Sequence, residues 1–154
     1  MTSIKNNRSG REDANESFPA ARTSGYSNTE LTKKLGLQAS QRTYFINAPD
    51  EYFEIIKWSR PRTSMADISK LYDFIHVFFT SKFDLQSNAP KIVKQLDVKG
   101  ILWVSWPKKS QKFIESDITE QDLRDILLPL GVVDVKVCAV TDVWSGLKFV
   151  WRRK

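Results

Sequence analysis

The chain has 154 residues, of which 41% are hydrophobic and 27% charged, a size and balance that suit one globular domain with a buried core. Its single cysteine, Cys138, excludes an intrachain disulfide and a cysteine-based zinc site. The formal net charge of +6 suits an anionic ligand, a nucleic acid or solubility alone, and does not choose among them.

Residues 1–28 are rich in Ser, Asn, Arg, Gly and Glu and contain too little apolar surface to offset the entropy of ordering. We therefore predict a disordered tail over 1–28 and a single α/β domain over 29–154. The N-terminus has no hydrophobic signal region, and no apolar run reaches the length of a membrane span. We expect a cytoplasmic protein with no membrane partner.

Helical and extended patterns alternate from Leu31 onwards. A short helix ends at Gly36, and a first strand covers 42–48. Asp50 is the expected N-cap of the next helix, and the apolar run over 72–79 predicts the second strand.

The second half of the chain repeats the alternation. Thr80 and Ser81 cap a helical region in which Pro90 marks a kink or a second helix start, and the third strand covers 100–106. The sequence over 119–122 has the form of a capping box, and Pro129 ends the helix that follows it.

The last two strands, 132–140 and 146–151, are joined by only five residues, too few for a crossover, so they form an antiparallel hairpin. The earlier strands alternate with helices, which implies parallel pairing with right-handed crossovers. The predicted fold class is α/β, a three-layer Rossmann-like sandwich with a mostly parallel sheet of about five strands.

The carboxyl ends of the parallel strands place four loops at one edge of this sheet, where open α/β sheets bind ligands. Lysines, hydroxyl groups, helix N-termini and one tryptophan there suit a phosphate or carboxylate beside a planar ring. A solvated loop is the alternative for the lysine pair. The candidate ligand-binding residues are Asn47, Asp50, Thr80, Ser81, Lys82, Lys108, Lys109, Ser110, Asp142 and Trp144.

Other chemically notable residues favour structural roles. His76, the only histidine, stands mid-strand among apolar residues and is expected to be buried and hydrogen-bonded. Cys138 is expected to be a small core residue, and Trp144 suits core packing better than base stacking. Trp103 and Trp106, three apart on a strand, are expected to face opposite sides of the sheet.

No catalytic motif, glycine-rich phosphate loop or metal-ligand spacing occurs, so neither a catalytic residue nor a cofactor is assigned. The acidic residues near 50–54 and 117–125 are typical of helix N-terminal turns. The basic C-terminus, 151–154, suits contact with a nucleic acid backbone or an acidic partner, and a solubilising end is the alternative.

Three strings resemble a family of small bacterial cytosolic α/β proteins that is catalogued only as a domain of unknown function. They are LWVSWPKKS at 102–110, LPLGVVDVKVCAV at 128–140 and WSGLKFVWR at 144–152. The resemblance covers Leu31 to Arg153 and implies no activity.

The alternating pattern with a terminal hairpin is also similar to the core of Rossmann-like S-adenosylmethionine-dependent methyltransferases. That superfamily places a glycine-rich turn after the first strand, where this chain has Asn47 to Asp50. It places an acidic residue at the end of the second strand, where this chain has Phe79 to Lys82. These departures imply a trimmed, non-catalytic relative.

The leading interpretation is a non-enzymatic binding module whose basic crevice accepts an anionic small molecule or an acidic group on a partner protein. The alternatives are a divergent or degenerate methyltransferase and a nucleic-acid-associated protein that uses its basic C-terminus.

Overall fold

The computed structural model describes residues 28–59 and 71–153. The tail predicted over 1–28 lies outside the described residues except for Asn28, with which the first helix begins. None of the described helices is both long enough and apolar enough to span a membrane. The elements are α1 (Asn28–Leu35), β1 (Thr43–Ile46), α2 (Asp50–Ile55), β2 (Tyr72–Phe78), α3 (Lys82–Lys94), β3 (Leu96–Pro107), α4 (Glu120–Leu127), a 3₁₀ turn (Leu128–Leu130), β4 (Val132–Ala139) and β5 (Trp144–Trp151).

The strands form one five-stranded sheet in the order β1-β2-β3-β5-β4. Strands β1, β2 and β3 pair in parallel, whereas β5 lies antiparallel between β3 and β4. The hairpin prediction is therefore confirmed, and so is the predicted α/β class with its mostly parallel sheet. Because β4 runs in the same direction as β1 to β3, the tip of the hairpin lies at the edge where the parallel strands end.

Each face of the sheet buries a separate core, because alternate residues of a strand point to opposite faces. On the front face, Phe45, Phe74 and Trp103 pack with α1 and α2. On the back face, Ile75 and Trp106 pack with α3 and α4. Trp103 and Trp106 thus face opposite sides, as predicted. The chain passes to the front face after β1 and to the back face after β2.

Two predicted caps are present and a third is wrong. Ser81 caps α3 by accepting a hydrogen bond from the backbone N–H of Asp84, and Thr119 forms the capping box of α4. Asp50 was expected to cap α2, but it is the first residue of the helix. Pro49 occupies the N-cap position with extended dihedral angles and no side-chain bond, and its fixed φ suits that position.

A second helix start at Pro90 is absent, since α3 is one helix from Lys82 to Lys94; a kink there stays a prediction. Ala89, Ile92 and Val93 are buried against the sheet on either side of the proline, which is itself exposed. Packing of this apolar face outweighs the hydrogen bond that Pro90 is unable to donate.

Strand β4 carries a β-bulge at Val135. Asp134 pairs with Phe149 and Lys136 pairs with Lys148, so two residues of β5 oppose three of β4. Val135 is exposed on this outermost strand of the described sheet. A bulge bends a strand and increases its twist, so β4 is not a flat edge.

A buried chain of polar groups crosses the front core. His76 Nδ1 lies 2.9 Å from Tyr52 Oη, and His76 Nε2 lies 2.7 Å from Ser105 Oγ. The imidazole also stacks on Phe78 with ring centroids 4.4 Å apart. Burial lowers the pKa of His76 from 6.5 to about 3, so the ring is neutral and joins α2 to β2 and β3, as a structural histidine does.

Acidification below pH 6.5 is expected to destabilise the protein through His76. The unfolded chain binds a proton there at pH 5, while the folded chain stays neutral because its pKa is about 3. The folded state thus binds fewer protons, and its free energy of unfolding falls by about 2 kcal/mol from pH 7 to pH 5. Urea denaturation at the two pH values measures the change.

His76 is the only histidine, so its imidazole signals in a proton NMR spectrum are unambiguous. They are expected to stay at their neutral positions from pH 7.5 to pH 5. A titration midpoint near pH 6.5 in the folded protein would contradict the assignment of a buried, neutral ring.

Candidate functional site

The chain diverges where β1 and β2 end side by side. The connection after β1 leads to α2 on the front face, and the connection after β2 leads to α3 on the back face. Two neighbouring parallel strands that diverge in this way leave a crevice outside their carboxyl ends, the usual ligand site of open α/β sheets. We call this space the switch crevice.

Asn47 forms the floor of the switch crevice on the β1 side. Its φ of 58° lies in the left-handed region, which asparagine tolerates better than most residues. Its side-chain Nδ2 donates a 3.1 Å hydrogen bond to the carbonyl oxygen of Phe78 at the end of β2. Asn47 thus makes the sharp turn out of β1 and ties the ends of the two strands together.

The front wall of the switch crevice is acidic. Burial raises the pKa of Glu51 in the first turn of α2, and the nearby charges of Asp142 and Glu54 raise it further. Asp142 stands at the tip of the β4–β5 hairpin and Asp50 begins α2, both exposed. Carboxylates that repel one another in this way are stabilised by a cation placed among them.

A second concavity lies beside the end of β3. The segment 107–119 encloses a cavity of about 550 Å³ lined by Lys108, Lys109 and Lys112 together with Glu115 and Asp117. Backbone bonds hold the segment to its neighbours: Lys108 N–H donates to the carbonyl of Val143 at 2.8 Å, and Asp117 N–H donates to the carbonyl of Thr80 at 3.4 Å. We call this space the loop cavity.

Side chains hold the wall of the loop cavity in shape. Gln111 donates from Nε2 to the carbonyl of Ile114 at 2.7 Å, and its Oε1 accepts from the N–H groups of Phe113 and Ile114. Asp117 Oδ1 accepts a 2.8 Å hydrogen bond from the backbone N–H of Lys82, which joins the segment to the start of α3. The segment is therefore a cross-linked loop rather than an extended connection.

The structure brings the four predicted loops to one edge but divides the predicted lysines. Lys108 and Lys109 line the loop cavity, whereas the Lys82 ammonium pairs with Asp122 at 3.3 Å and faces a groove between α3 and α4. Ser110 is exposed and is not part of the lining. The predicted lysines are thus divided between the loop cavity and that groove.

The remaining candidates have structural contacts at the same edge. Ser81 caps α3, the carbonyl of Thr80 accepts from Asp117, and Asn47 bridges to Phe78. Trp144 is only 7% exposed and meets Phe78 edge-on, with ring centroids 5.1 Å apart, so core packing is confirmed for it.

Three residues at this edge were not expected from the sequence: Glu51, Lys112 and Phe113. In the sequence, Glu51 is one of the acids typical of a helix N-terminal turn. It is the fold that brings Asp142 close to it. Lys112 follows the lysine pair by three residues, and this proximity is a signal that could have found it, whereas nothing in the sequence indicates Phe113.

Other chemistry-bearing groups lie apart from this edge. Cys138 is half-buried, and burial raises the pKa of its thiol, as suits a packing residue. No group of histidine, cysteine and carboxylate side chains suited to a metal ion occurs within residues 28–59 and 71–153. Arg152 and Arg153 follow β5, which runs antiparallel, so they lie at the opposite edge of the sheet.

The sequence matches no protein-family model and no curated protein. The resemblance to small bacterial proteins of unknown function therefore stays an expectation.

Solved structures share the fold with this chain. Magnesium protoporphyrin IX methyltransferase from Synechocystis PCC 6803 with bound SAM is 13% identical, with a TM-score of 0.51 over 81% of this chain and 76% of that one. The N-methyltransferase NodS from Bradyrhizobium japonicum WM9 is 12% identical, with a TM-score of 0.53 over 82% and 94%. A SAM-dependent methyltransferase from Aquifex aeolicus is 13% identical, with a TM-score of 0.54 over 80% and 89%. The chain thus has the Rossmann-like fold of S-adenosylmethionine-dependent methyltransferases.

Proposed function

We propose that this protein binds S-adenosylmethionine or its demethylated product, S-adenosylhomocysteine, in the switch crevice, as a divergent member of the methyltransferase fold. The observation that carries the proposal is the acidic front wall of that crevice. S-adenosylmethionine carries a sulfonium and an ammonium charge, and both suit the carboxylates of Glu51 and Asp142. An anion is repelled by the same wall, so the leading interpretation of the sequence fits this part of the edge less well.

The turn after β1 differs from that of the superfamily in sequence but shares a conformation open to glycine. The superfamily's glycine-rich turn is absent, but Asn47 adopts the left-handed conformation that a glycine adopts easily. The Asn47 side chain folds back onto Phe78. In a dinucleotide fold, the ribose-binding acid ends a strand that lies beside the first strand, on the side away from the crevice. In the described sheet β1 is an outermost strand, and β2 lies on its other side, across the crevice. The end of β2 therefore holds no counterpart of that acid. Glu51 and Asp142 are the carboxylates that take its place in this proposal.

Replacing Glu51 with glutamine is expected to weaken S-adenosylmethionine binding about tenfold, since it removes one charge beside the cation. S-adenosylhomocysteine lacks the sulfonium charge, so its affinity should fall less. Isothermal titration calorimetry of the full chain with each ligand measures both effects.

Asp125→Asn is the matched control, because Asp125 is an exposed carboxylate of α4 on the back face. Its affinity for both ligands should equal that of the unchanged protein. The proposal would be refuted if neither ligand gave a saturable heat of binding at millimolar concentration while the protein stayed folded.

A second candidate function is binding of a phosphorylated or carboxylated small molecule in the loop cavity. It is favoured by the cavity's volume of about 550 Å³ and by Lys108, Lys109 and Lys112 in its lining. This function is the anion-binding module indicated by the sequence. Its site is limited to the loop after β3, and Lys82 is not part of it.

A thermal-shift series with phosphorylated metabolites at fixed salt tests the second candidate. A ligand of the loop cavity raises the melting temperature in a concentration-dependent way, and this rise should be lost in Lys108→Ala/Lys109→Ala. Lys91→Ala/Lys94→Ala removes the same charge from the end of α3 and should keep the rise. Equal loss in both double variants would indicate a response to net charge and not a site.

A further inference from the structure

Two exposed phenylalanines stand beside the loop cavity. Phe113 is 87% exposed and Phe83 is 75% exposed, and with Val98 at 74% they are the most exposed large apolar side chains of the described chain. Val98 lies near the start of β3, at the opposite edge of the sheet. Exposed aromatic rings gathered at one place mark an interaction site more often than single scattered apolar residues do.

The segments that carry the two rings are joined directly. Phe83 follows Lys82, whose backbone N–H donates to Asp117 Oδ1 at 2.8 Å. Phe113 precedes Asp117 by four residues, and four residues span at most about 14 Å. The two rings are therefore carried by neighbouring segments at this edge of the sheet.

The segment that carries Phe113 also carries three lysines without an ion pair to the described residues. Lys109 and Lys112 are exposed and Lys108 is half-buried, and no carboxylate of residues 28–59 or 71–153 lies within ion-pair distance of these three. Their positive charge is left for a partner outside the described chain. We call Phe83, Phe113 and these lysines the aromatic-lysine surface.

We propose that the aromatic-lysine surface binds single-stranded nucleic acid, with bases stacked on Phe83 and Phe113 and phosphates near Lys108, Lys109 and Lys112. Non-sequence-specific single-strand binders combine the same two elements, a positively charged track and aromatic platforms, because every base has a stacking face. Protein interfaces are instead depleted of lysine and bury a contiguous apolar core, which two separate rings among lysines do not provide. The inference does not depend on a ligand in the switch crevice.

Fluorescence anisotropy of the full chain with a labelled 12-nucleotide oligo(dT) tests the inference. Phe113→Ala and Phe83→Ala are each expected to weaken binding roughly tenfold, the effect of losing one base stack. Both residues are exposed, so the melting temperature of each variant should stay within a few degrees of that of the unchanged protein. Lys109→Ala should reduce the slope of log affinity against log salt by about 0.7, the loss of one phosphate contact to a single strand.

Two control variants locate the effect. Val98→Ala removes an equally exposed apolar side chain from the opposite edge and should leave binding unchanged. Arg152→Ala/Arg153→Ala should lower affinity only through net charge, equally for single-stranded and duplex DNA. Binding lost in the arginine variant and kept in both phenylalanine variants would overturn the inference in favour of the C-terminus.

Three further results would also overturn it. One is the absence of binding at 50 mM salt and 100 µM protein, conditions under which even a non-specific nucleic-acid binder is bound to a measurable extent. Another is duplex DNA that binds as tightly as the single strand, since paired bases offer no free stacking face. The third is poly-glutamate that competes as well as oligo(dT), which would identify a site for acidic polymers, including acidic proteins.

Calorimetry with S-adenosylmethionine on the same phenylalanine variants should show unchanged affinity, so the two proposals fail or succeed separately.

Discussion

The hydrogen-bonded chain from Tyr52 through His76 to Ser105 is the contact on which the front half of the molecule depends. It is a polar link between α2 and the central strands, within a core otherwise built from aromatic and aliphatic side chains. A neutral imidazole has one donor and one acceptor, and the two hydroxyl groups rotate to suit either arrangement. Because the position of α2 sets that of Glu51, a buried interaction in mid-strand fixes the wall of a crevice at the strand ends.

Charge is distributed unevenly along the edge where the parallel strands end. Carboxylates gather where the first turn of α2 approaches the hairpin tip, and lysines gather in the segment after β3. A backbone bond joins the two groups, since Lys108 N–H donates to the carbonyl of Val143, next to Asp142. One edge of the described sheet thus carries a cluster of carboxylates and a cluster of lysines.

Local sequence patterns predicted the elements and their order. The apolar runs of β2 and β3, the capping box at Thr119 and the short hairpin connection each depend on neighbouring residues alone. The face to which each helix packs depends on contacts between distant residues, so the approach of Asp142 to Glu51 and the separation of Lys82 from Lys108 were not predictable. The continuation of α3 through Pro90 has the same cause, since buried contacts on both sides of the proline decide it. The exposure of Phe113 follows from the fold of its loop around Gln111, which no spacing in the sequence indicates.

The bulge at Val135 has a consequence for the behaviour of the protein in concentrated solution. Strand β4 is rich in valine, a composition that favours pairing between the open edges of separate molecules and leads to fibrillar aggregates. The extra residue interrupts the regular spacing of the edge hydrogen bonds, and Lys136, next to it, adds a charge to the same edge. A chain without the bulge would offer a straight, apolar template to its own copies, so one irregular residue protects the folded molecule against self-association.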